Sequence, residues 1–336
     1  MNVYATWAAF FCLGVAAVWF FEMNLRLIGA GVAALTAGLL GLVYVYQEKL
    51  LYMNHHMPQF KTPSKNPPYF RRPNEHGIEY DEAVYVTEDG KRIHGWFMRA
   101  PRHRGFLPGD YTQQPTVIFF HGNAGNRGFR LFNMKQLVEL GLNVLIIDYR
   151  GYAESEGEPS EEGLVLDARA SLDYLRNRGD VDMSKIIVYG RSLGGAVALA
   201  LHETHGEYLR AVALENTFTS VADMVDALMP RPLALLKGLL LRMHWRSLER
   251  IPSVQCPLLL LSSERDELIP PTQMRQLHEA ATSRRTRFVS FELGTHNELP
   301  VREPEKYTDT WRSFLVQEVF VQEMALQEDS SDVNSD

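Results

Sequence analysis

The chain has 336 residues and a formal net charge of −7, from 34 basic and 41 acidic residues. That length holds one large domain with a full core plus additional segments. Part of the acidity sits after Glu318, where Glu318, Glu323, Glu328, Asp329, Asp332 and Asp336 occur without a base. The remainder is close to neutral, so nothing argues for a nucleic-acid partner.

Val3 to Phe21 and Leu27 to Tyr46 are two apolar runs separated only by Glu22-Met23-Asn24-Leu25-Arg26. Each is long enough to cross a bilayer as a helix, and residues 1–46 are expected to be membrane-anchoring helices, as one span or a hairpin. The second run is the surer span. Trp7, Trp19, Tyr44 and Tyr46 lie toward the ends of the runs, as interfacial aromatics do. No Lys or Arg precedes the first run, which disfavours a secretory signal peptide. Lys49, Lys61, Lys65, Arg71 and Arg72 follow the second run, whereas Arg26 alone precedes it. The positive-inside rule then places the rest of the chain on the cytoplasmic side. Cys12 lies in an apolar run and Cys256 precedes a strand, so they are not expected to pair, and no glycosylation sequon is present.

Residues 47–75 read as a connector broken by Pro58, Pro63, Pro67 and Pro68. A domain over 76–322 follows. It opens with an antiparallel hairpin, Glu82 to Thr87 and Ile93 to Met98, joined through Glu88-Asp89-Gly90. From Pro115 strands and helices alternate: Thr116 to Phe120, Leu131 to Leu140, Asn143 to Asp148, Glu161 to Arg176, Ile186 to Tyr189, then Ala196 onward. Such alternation implies a mostly parallel central sheet with helices on both faces.

The first strand of this series ends in His121-Gly122-Asn123-Ala124-Gly125-Asn126. A glycine-rich turn there suits a loop whose backbone N–H receives a developing oxyanion, and Asn123 is the candidate donor. His121 reads as a brace for that loop. No phosphate-binding fingerprint accompanies the glycines.

After Ile186-Ile187-Val188-Tyr189 comes Gly190-Arg191-Ser192-Leu193-Gly194, then an alanine-rich helix. Strand, tight turn and helix with serine at the apex form a nucleophile elbow, the strained turn that exposes a serine hydroxyl. Ser192 as a simple helix N-cap is the blander reading. Leu193 would supply the second oxyanion N–H.

Ala211 to Glu215 is a further strand. The stretch 216–251 interrupts the alternation and reads as a small helical cap. Leu235, Leu236, Leu239, Leu240, Met243 and Trp245 make it more apolar than a surface helix requires. An acyl-chain pocket or membrane-facing lid, and plain packing onto the core, both account for this.

Pro257 to Leu261 leads into Ser262-Ser263-Glu264-Arg265-Asp266-Glu267, and Arg287 to Phe291 leads into Gly294-Thr295-His296-Asn297. A serine needs a base, and the base an orienting carboxylate. Ser192, Asp266 and His296 occur in the order expected of this fold, each at the carboxyl end of a predicted strand. Glu264 and Glu267 compete with Asp266, and His296 could be an ordinary loop histidine. Residues 323–336 read as a disordered acidic tail.

The motifs His121 to Asn126, Asp148-Tyr149-Arg150-Gly151-Tyr152, Ser155-Glu156-Gly157, Gly190 to Gly195 and Gly294 to Asn297 together resemble the bud-emergence-type α/β-hydrolases over residues 45–320. The resemblance implies an α/β-hydrolase fold and membrane-associated serine hydrolase activity. Relatives in that group cleave acyl thioesters on proteins or acyl esters of lysophospholipids and monoglycerides. Ala153 departs from the pattern, which usually carries glycine after Tyr-Arg-Gly-Tyr, and puts the local loop geometry in question.

The expected reaction is a two-step acyl transfer on an ester or thioester, without metal or organic cofactor, by a chain whose other partner is the lipid bilayer. A serine peptidase, a cofactor-free lyase or perhydrolase, and a non-catalytic membrane interaction protein are the rival readings. No protein partner is suggested.

Overall fold

The computed structural model describes residues 3–54, 58–102, 104–108, 110–229, 231–235, 237–321 and Glu323. Its described residues divide into two compact units: the chain up to Gln47 together with Leu239–Arg242, and the remainder. Apart from Glu323, the expected acidic tail lies outside the described residues.

The first unit is dominated by α1 (Val3–Leu51), which runs on into the second unit as one uninterrupted helix. The two apolar runs are therefore not separated by a turn. Glu22 to Arg26 contains neither Gly nor Pro, Glu22 pairs with Arg26 one turn on, and the Asn24 side chain donates to the Phe20 carbonyl at 2.8 Å. With its polar groups satisfied within the helix, this stretch continues it. Gly14–Leu51 is long and apolar enough to cross a membrane, and its most apolar window is wholly exposed.

The second unit holds an eight-stranded sheet: β1 (Tyr80–Val86), β2 (Arg92–Met98), β3 (Thr116–Phe120), β4 (Asn143–Asp148), β5 (Ile186–Arg191), β6 (Ala211–Glu215), β7 (Leu258–Ser263) and β8 (Thr286–Phe291). The strand order is β1-β2-β4-β3-β5-β6-β7-β8. β1 pairs antiparallel with β2, β2 antiparallel with β4, and every later pair is parallel. Strands β3 to β7 are buried along their whole length. That is why each reads as a continuous apolar run rather than an alternation: both faces of a parallel sheet are covered.

The helices are α2 (Leu131–Glu139), α3 (Glu161–Arg178), α4 (Leu193–His205), α5 (Val221–Leu228), α6 (Arg231–Ala234), α7 (Lys237–Leu240), α8 (Ser247–Arg250), α9 (Pro271–Ala280), α10 (Leu299–Arg302) and α11 (Pro304–Phe314). α4 is buried from Leu193 to His202, and α11 buries Tyr307, Trp311 and Phe314 in the core. The cap region is a string of short helices, and 241–246 is not helical. Trp245 takes a positive φ of 43°, which ends any helical run there. Its ring is fully buried and its indole donates to the Tyr52 hydroxyl at 3.1 Å.

The loop after β4 is held by buried charge. The Arg127 guanidinium pairs with Asp148 and lies 4.5 Å from the centroid of the Trp96 ring. Arg150 joins Asp167 to Asp89. Removing one partner from such a buried pair costs about 3–5 kcal/mol, because the other charge is left uncompensated.

Candidate active site

The turn joining β5 to α4 exists only because three of its positions lack a Cβ. A methyl group on Gly190 would lie 2.1 Å from the Gly194 carbonyl oxygen, and one on Gly194 would lie 1.9 Å from that of Phe120. One on Gly195 would lie 2.5 Å from the Thr217 side chain. Ser192 at the apex has φ 55° and ψ −124°, a conformation that costs a non-glycine residue on the order of 1–3 kcal/mol. Its backbone is fixed on both sides. The Ser192 N–H donates to the Glu215 carbonyl at 2.9 Å, and the Ser192 carbonyl accepts from the Thr217 hydroxyl at 2.7 Å and the Gly195 N–H at 2.9 Å.

Beyond β7, Asp266 is aimed by its own loop. One carboxylate oxygen, Oδ1, accepts the Leu268 and Ile269 amides at 2.9 and 2.8 Å. The other, Oδ2, is 2.8 Å from Nδ1 of His296. Both side chains are buried, at 2% and 5% exposure. The competing carboxylates are occupied elsewhere. Glu264 accepts from Ser290 and Arg275, and Glu267 accepts the backbone N–H of His296 at 3.1 Å. Neither shares a hydrogen bond with the His296 ring among the described residues.

Asp266 and His296 are thus brought together, while Ser192 Oγ and the His296 ring share no hydrogen bond among the described residues. Their loops are nevertheless tied. Arg191, just before Ser192, reaches Asn297, just after His296, at 3.3 and 3.4 Å. Asn216, just after the Glu215 carbonyl that holds the Ser192 amide, donates to the His296 carbonyl at 3.2 Å and to the Ser263 hydroxyl at 2.9 Å. Its side-chain oxygen accepts the Ser263 amide at 2.8 Å. Asn216 therefore links the serine, aspartate and histidine loops, a role the sequence reading missed by assigning it to the cap. Its φ is 45°, a region that Asn tolerates better than most residues.

The turn after β3 lies against the serine: a methyl on Gly122 would sit 3.3 Å from Ser192 Cβ and 3.8 Å from its Oγ. Asn123 is in this turn, and Leu193 is the first residue of α4, where helical N–H groups have no intrahelical acceptor. The turn is braced from its far side. Tyr149 donates to the His121 carbonyl at 2.9 Å, and Tyr152 donates to the Asn123 carbonyl at 2.8 Å. The Met53 amide also donates to the Asn123 carbonyl, at 3.0 Å, and the Asn123 side chain donates to the Leu51 carbonyl at 3.0 Å. The Asp-Tyr-Arg-Gly-Tyr run thereby acquires a physical meaning: its acid and arginine anchor the neighbouring loop, and its tyrosines prop the turn. Ala153 sits at φ 47°, the left-handed region that a glycine would enter without strain.

His121 is fully buried, with Nδ1 2.6 Å from the Gly122 carbonyl. Burial pushes its imidazole down to about 3, helped by the charge of Arg130, so the ring is neutral and Nδ1 carries its proton. Its ring bonds the Gly122 carbonyl, whereas the Asp266 carboxylate is paired with His296. Beneath the elbow, Tyr189 donates to Glu215 and lies 3.1 Å from the Tyr307 hydroxyl. Burial raises the Glu215 carboxyl above its ordinary range, opposed by the charge of Arg191. Among the described residues no group of three His, Cys, Asp or Glu side chains is arranged to hold a metal ion.

A family model for the alpha/beta hydrolase fold matches residues 115–243, from the start of β3 into the cap. Protein bem46 of Schizosaccharomyces pombe is 36% identical over 279 residues, covering 82% of this chain and 88% of its own. The Saccharomyces cerevisiae membrane protein YNL320W is 32% identical, covering 87% of this chain and 96% of its own. Among solved structures, a Pyrococcus furiosus esterase superposes with a TM-score of 0.59, covering 74% of this chain and 94% of the esterase. At 20% identity that likeness is one of fold. The sheet order, the elbow and these relatives agree, and the chain belongs to the α/β-hydrolases, in their bud-emergence-like group.

Proposed function

We propose that the protein is a membrane-anchored serine hydrolase that cleaves acyl esters or thioesters, of lipids or acylated proteins, through an acyl-enzyme. The observation that carries this reading is the pairing of a strained apex serine with a buried carboxylate–imidazole couple tied to its loop. Ser192 Oγ attacks the acyl carbonyl carbon while Nε2 of His296 takes the hydroxyl proton, and Asp266 keeps the remaining ring proton on Nδ1 and balances the imidazolium. The Asn123 and Leu193 amides receive the oxyanion. Collapse expels the alcohol or thiol, which takes the proton from His296. Water, deprotonated by the same imidazole, then releases the acid and restores the serine.

That Ser192 and the His296 ring share no hydrogen bond among the described residues is compatible with this, because catalytic contacts are often long before substrate binds. Helix α1 supports the membrane anchor, and the basic residues after Tyr46 support a cytoplasmic catalytic domain. The test is labelling of the full-length protein by a fluorophosphonate probe, with Ser192→Ala as the blank and a panel of acyl esters and thioesters as substrates. Loss of labelling with retained fold is the expected result. Persistent labelling of Ser192→Ala would refute the assignment.

A further inference from the structure

The stretch that the sequence presents as a connector starts with residues that hold the turn after β3. From Glu48 the chain belongs to the second unit, the one that contains the elbow. Leu51 is the last residue of α1, and the last carbonyls of a helix have no intrahelical donor. The Leu51 carbonyl is met instead by the Asn123 side-chain amide at 3.0 Å, from 72 positions further along the chain. Two residues on, the Met53 amide donates to the Asn123 carbonyl at 3.0 Å, and Met53 pairs with Ala124 in a parallel bridge. Tyr52, between them, is buried, and its hydroxyl accepts the Trp245 indole N–H at 3.1 Å. The Asn54 side chain donates to the Gly151 carbonyl at 3.0 Å, in the run whose Tyr149 and Tyr152 prop the same turn.

These contacts converge on one residue. A carbonyl oxygen has two acceptor sites, and that of Asn123 receives both the Tyr152 hydroxyl and the Met53 amide. Its side chain is tied to Leu51. The Asn123 N–H, by contrast, donates to no group among the described residues. A residue gripped at its carbonyl and side chain, with its amide unengaged, suits a donor that must be in place before charge develops on the substrate. Such a preorganised donor needs no rearrangement at the moment of reaction.

We infer that Leu51–Asn54 is a positioning element of the acyl-transfer site: the Leu51 carbonyl and the Met53 amide hold Asn123 so that its N–H meets the acyl oxygen of the substrate. This deepens the hydrolase reading and rests on it. The segment touches no reacting atom. It acts through Asn123, and its effect falls on the step in which the acyl oxygen becomes negative.

The test uses the full-length protein in phosphatidylcholine vesicles, with para-nitrophenyl butyrate and its thiono analogue as substrates. Asn123→Ala removes the bond to Leu51 and keeps the backbone N–H, whereas Met53→Pro removes the amide donor. Met53→Ala, which keeps that donor, should lose several-fold less than Met53→Pro. Displacing an oxyanion donor without deleting it should lower kcat about tenfold, against about 10²–10³-fold for removing one, with KM little changed. A sulfur anion gains less from N–H donors than an oxygen anion does. The preference of the wild type for the oxygen ester over the thionoester should therefore narrow several-fold in Asn123→Ala and Met53→Pro. Turnover within about twofold of wild type in both variants, once shown to be folded, would overturn the positioning role and leave the hydrolase standing. So would a loss shared equally by ester and thionoester, which marks general loosening of the fold. Where Met53→Pro does not fold, Asn123→Ala decides alone. Absence of Ser192-dependent turnover in the wild type would overturn the hydrolase reading and the inference with it.

Discussion

Replacing Asp266 by Asn tests the site with almost no change in shape. The Leu268 and Ile269 amides both donate to Oδ1, at 2.9 and 2.8 Å. An asparagine has one carbonyl oxygen, and these two donors hold it where Oδ1 was. The amide NH₂ is then turned toward Nδ1 of His296, which now has to accept. The ring proton moves to Nε2, the atom that must take the proton from Ser192, and general-base catalysis is lost. The equivalent change in a serine protease lowers turnover about 10⁴-fold, roughly 5.4 kcal/mol at about 1.36 kcal/mol per decade. Asp266→Asn should therefore slow both ester hydrolysis and fluorophosphonate labelling by about that factor while leaving the melting temperature close to wild type. Glu264→Gln and Glu267→Gln should stay within about tenfold, since the hydrogen bonds of both carboxylates go to other groups than the ring. Substantial activity in Asp266→Asn, or a Glu264→Gln variant as impaired as it, would refute the assignment of the acid.

The glycines near the serine should fall into two classes. Gly194→Ala drives a methyl into the β3 backbone and should fail to give folded protein, whereas Gly122→Ala should fold and label roughly 10²-fold more slowly, as expected when an oxyanion donor is displaced. Equal behaviour of the two in thermal melts would contradict this. Ala153→Gly relieves a left-handed alanine, worth about 1–2 kcal/mol, against about 0.4–1 kcal/mol of added unfolded-state entropy. A net gain of about 0.5–1 kcal/mol is expected by urea denaturation, and a loss would show that the loop depends on the methyl. His121 gives a pH dependence. The unfolded chain binds its proton below about 6.5 and the folded protein only near 3, so folding stability is full above 6.5 and is lost as pH falls toward 3. Roughly 2–3 kcal/mol should be gone by pH 4.5. His121→Asn should flatten the stability profile between pH 6.5 and 4.5 by one proton, and an unchanged slope would disprove the buried neutral ring.

Much of this fold is readable because its central strands are buried on both faces and so announce themselves as apolar runs with sharp ends. β3, β4 and β6 begin and end at the residues expected. The elbow is equally legible, since its glycines flank a serine between an apolar strand and an alanine-rich helix, although only the Gly190 contact with Gly194 is local and those of Gly194 and Gly195 are with Phe120 and Thr217. What escaped the sequence is non-local. Nothing in the sequence near Asn216 reveals that its side chain will join the end of β7 to the loop after β8, next to the Glu215 carbonyl that holds Ser192. The choice between Asp266 and its two glutamate neighbours depends on which carboxylate the loop turns toward His296. The sequence leaves one span or a hairpin open for a different reason: Glu22 and Arg26 look like a break in an apolar pattern, yet their spacing lets each satisfy the other along one helix face.

The hydrogen bond from His121 to the Gly122 carbonyl has a consequence for the adjoining amide. The C=O of Gly122 and the N–H of Asn123 belong to one planar trans unit and point in opposite directions. Gripping the first dictates the heading of the second, the very N–H assigned to the oxyanion. Because the gripping ring does not change charge until the medium is strongly acid, that proposed donor keeps its aim from neutral through mildly acid pH.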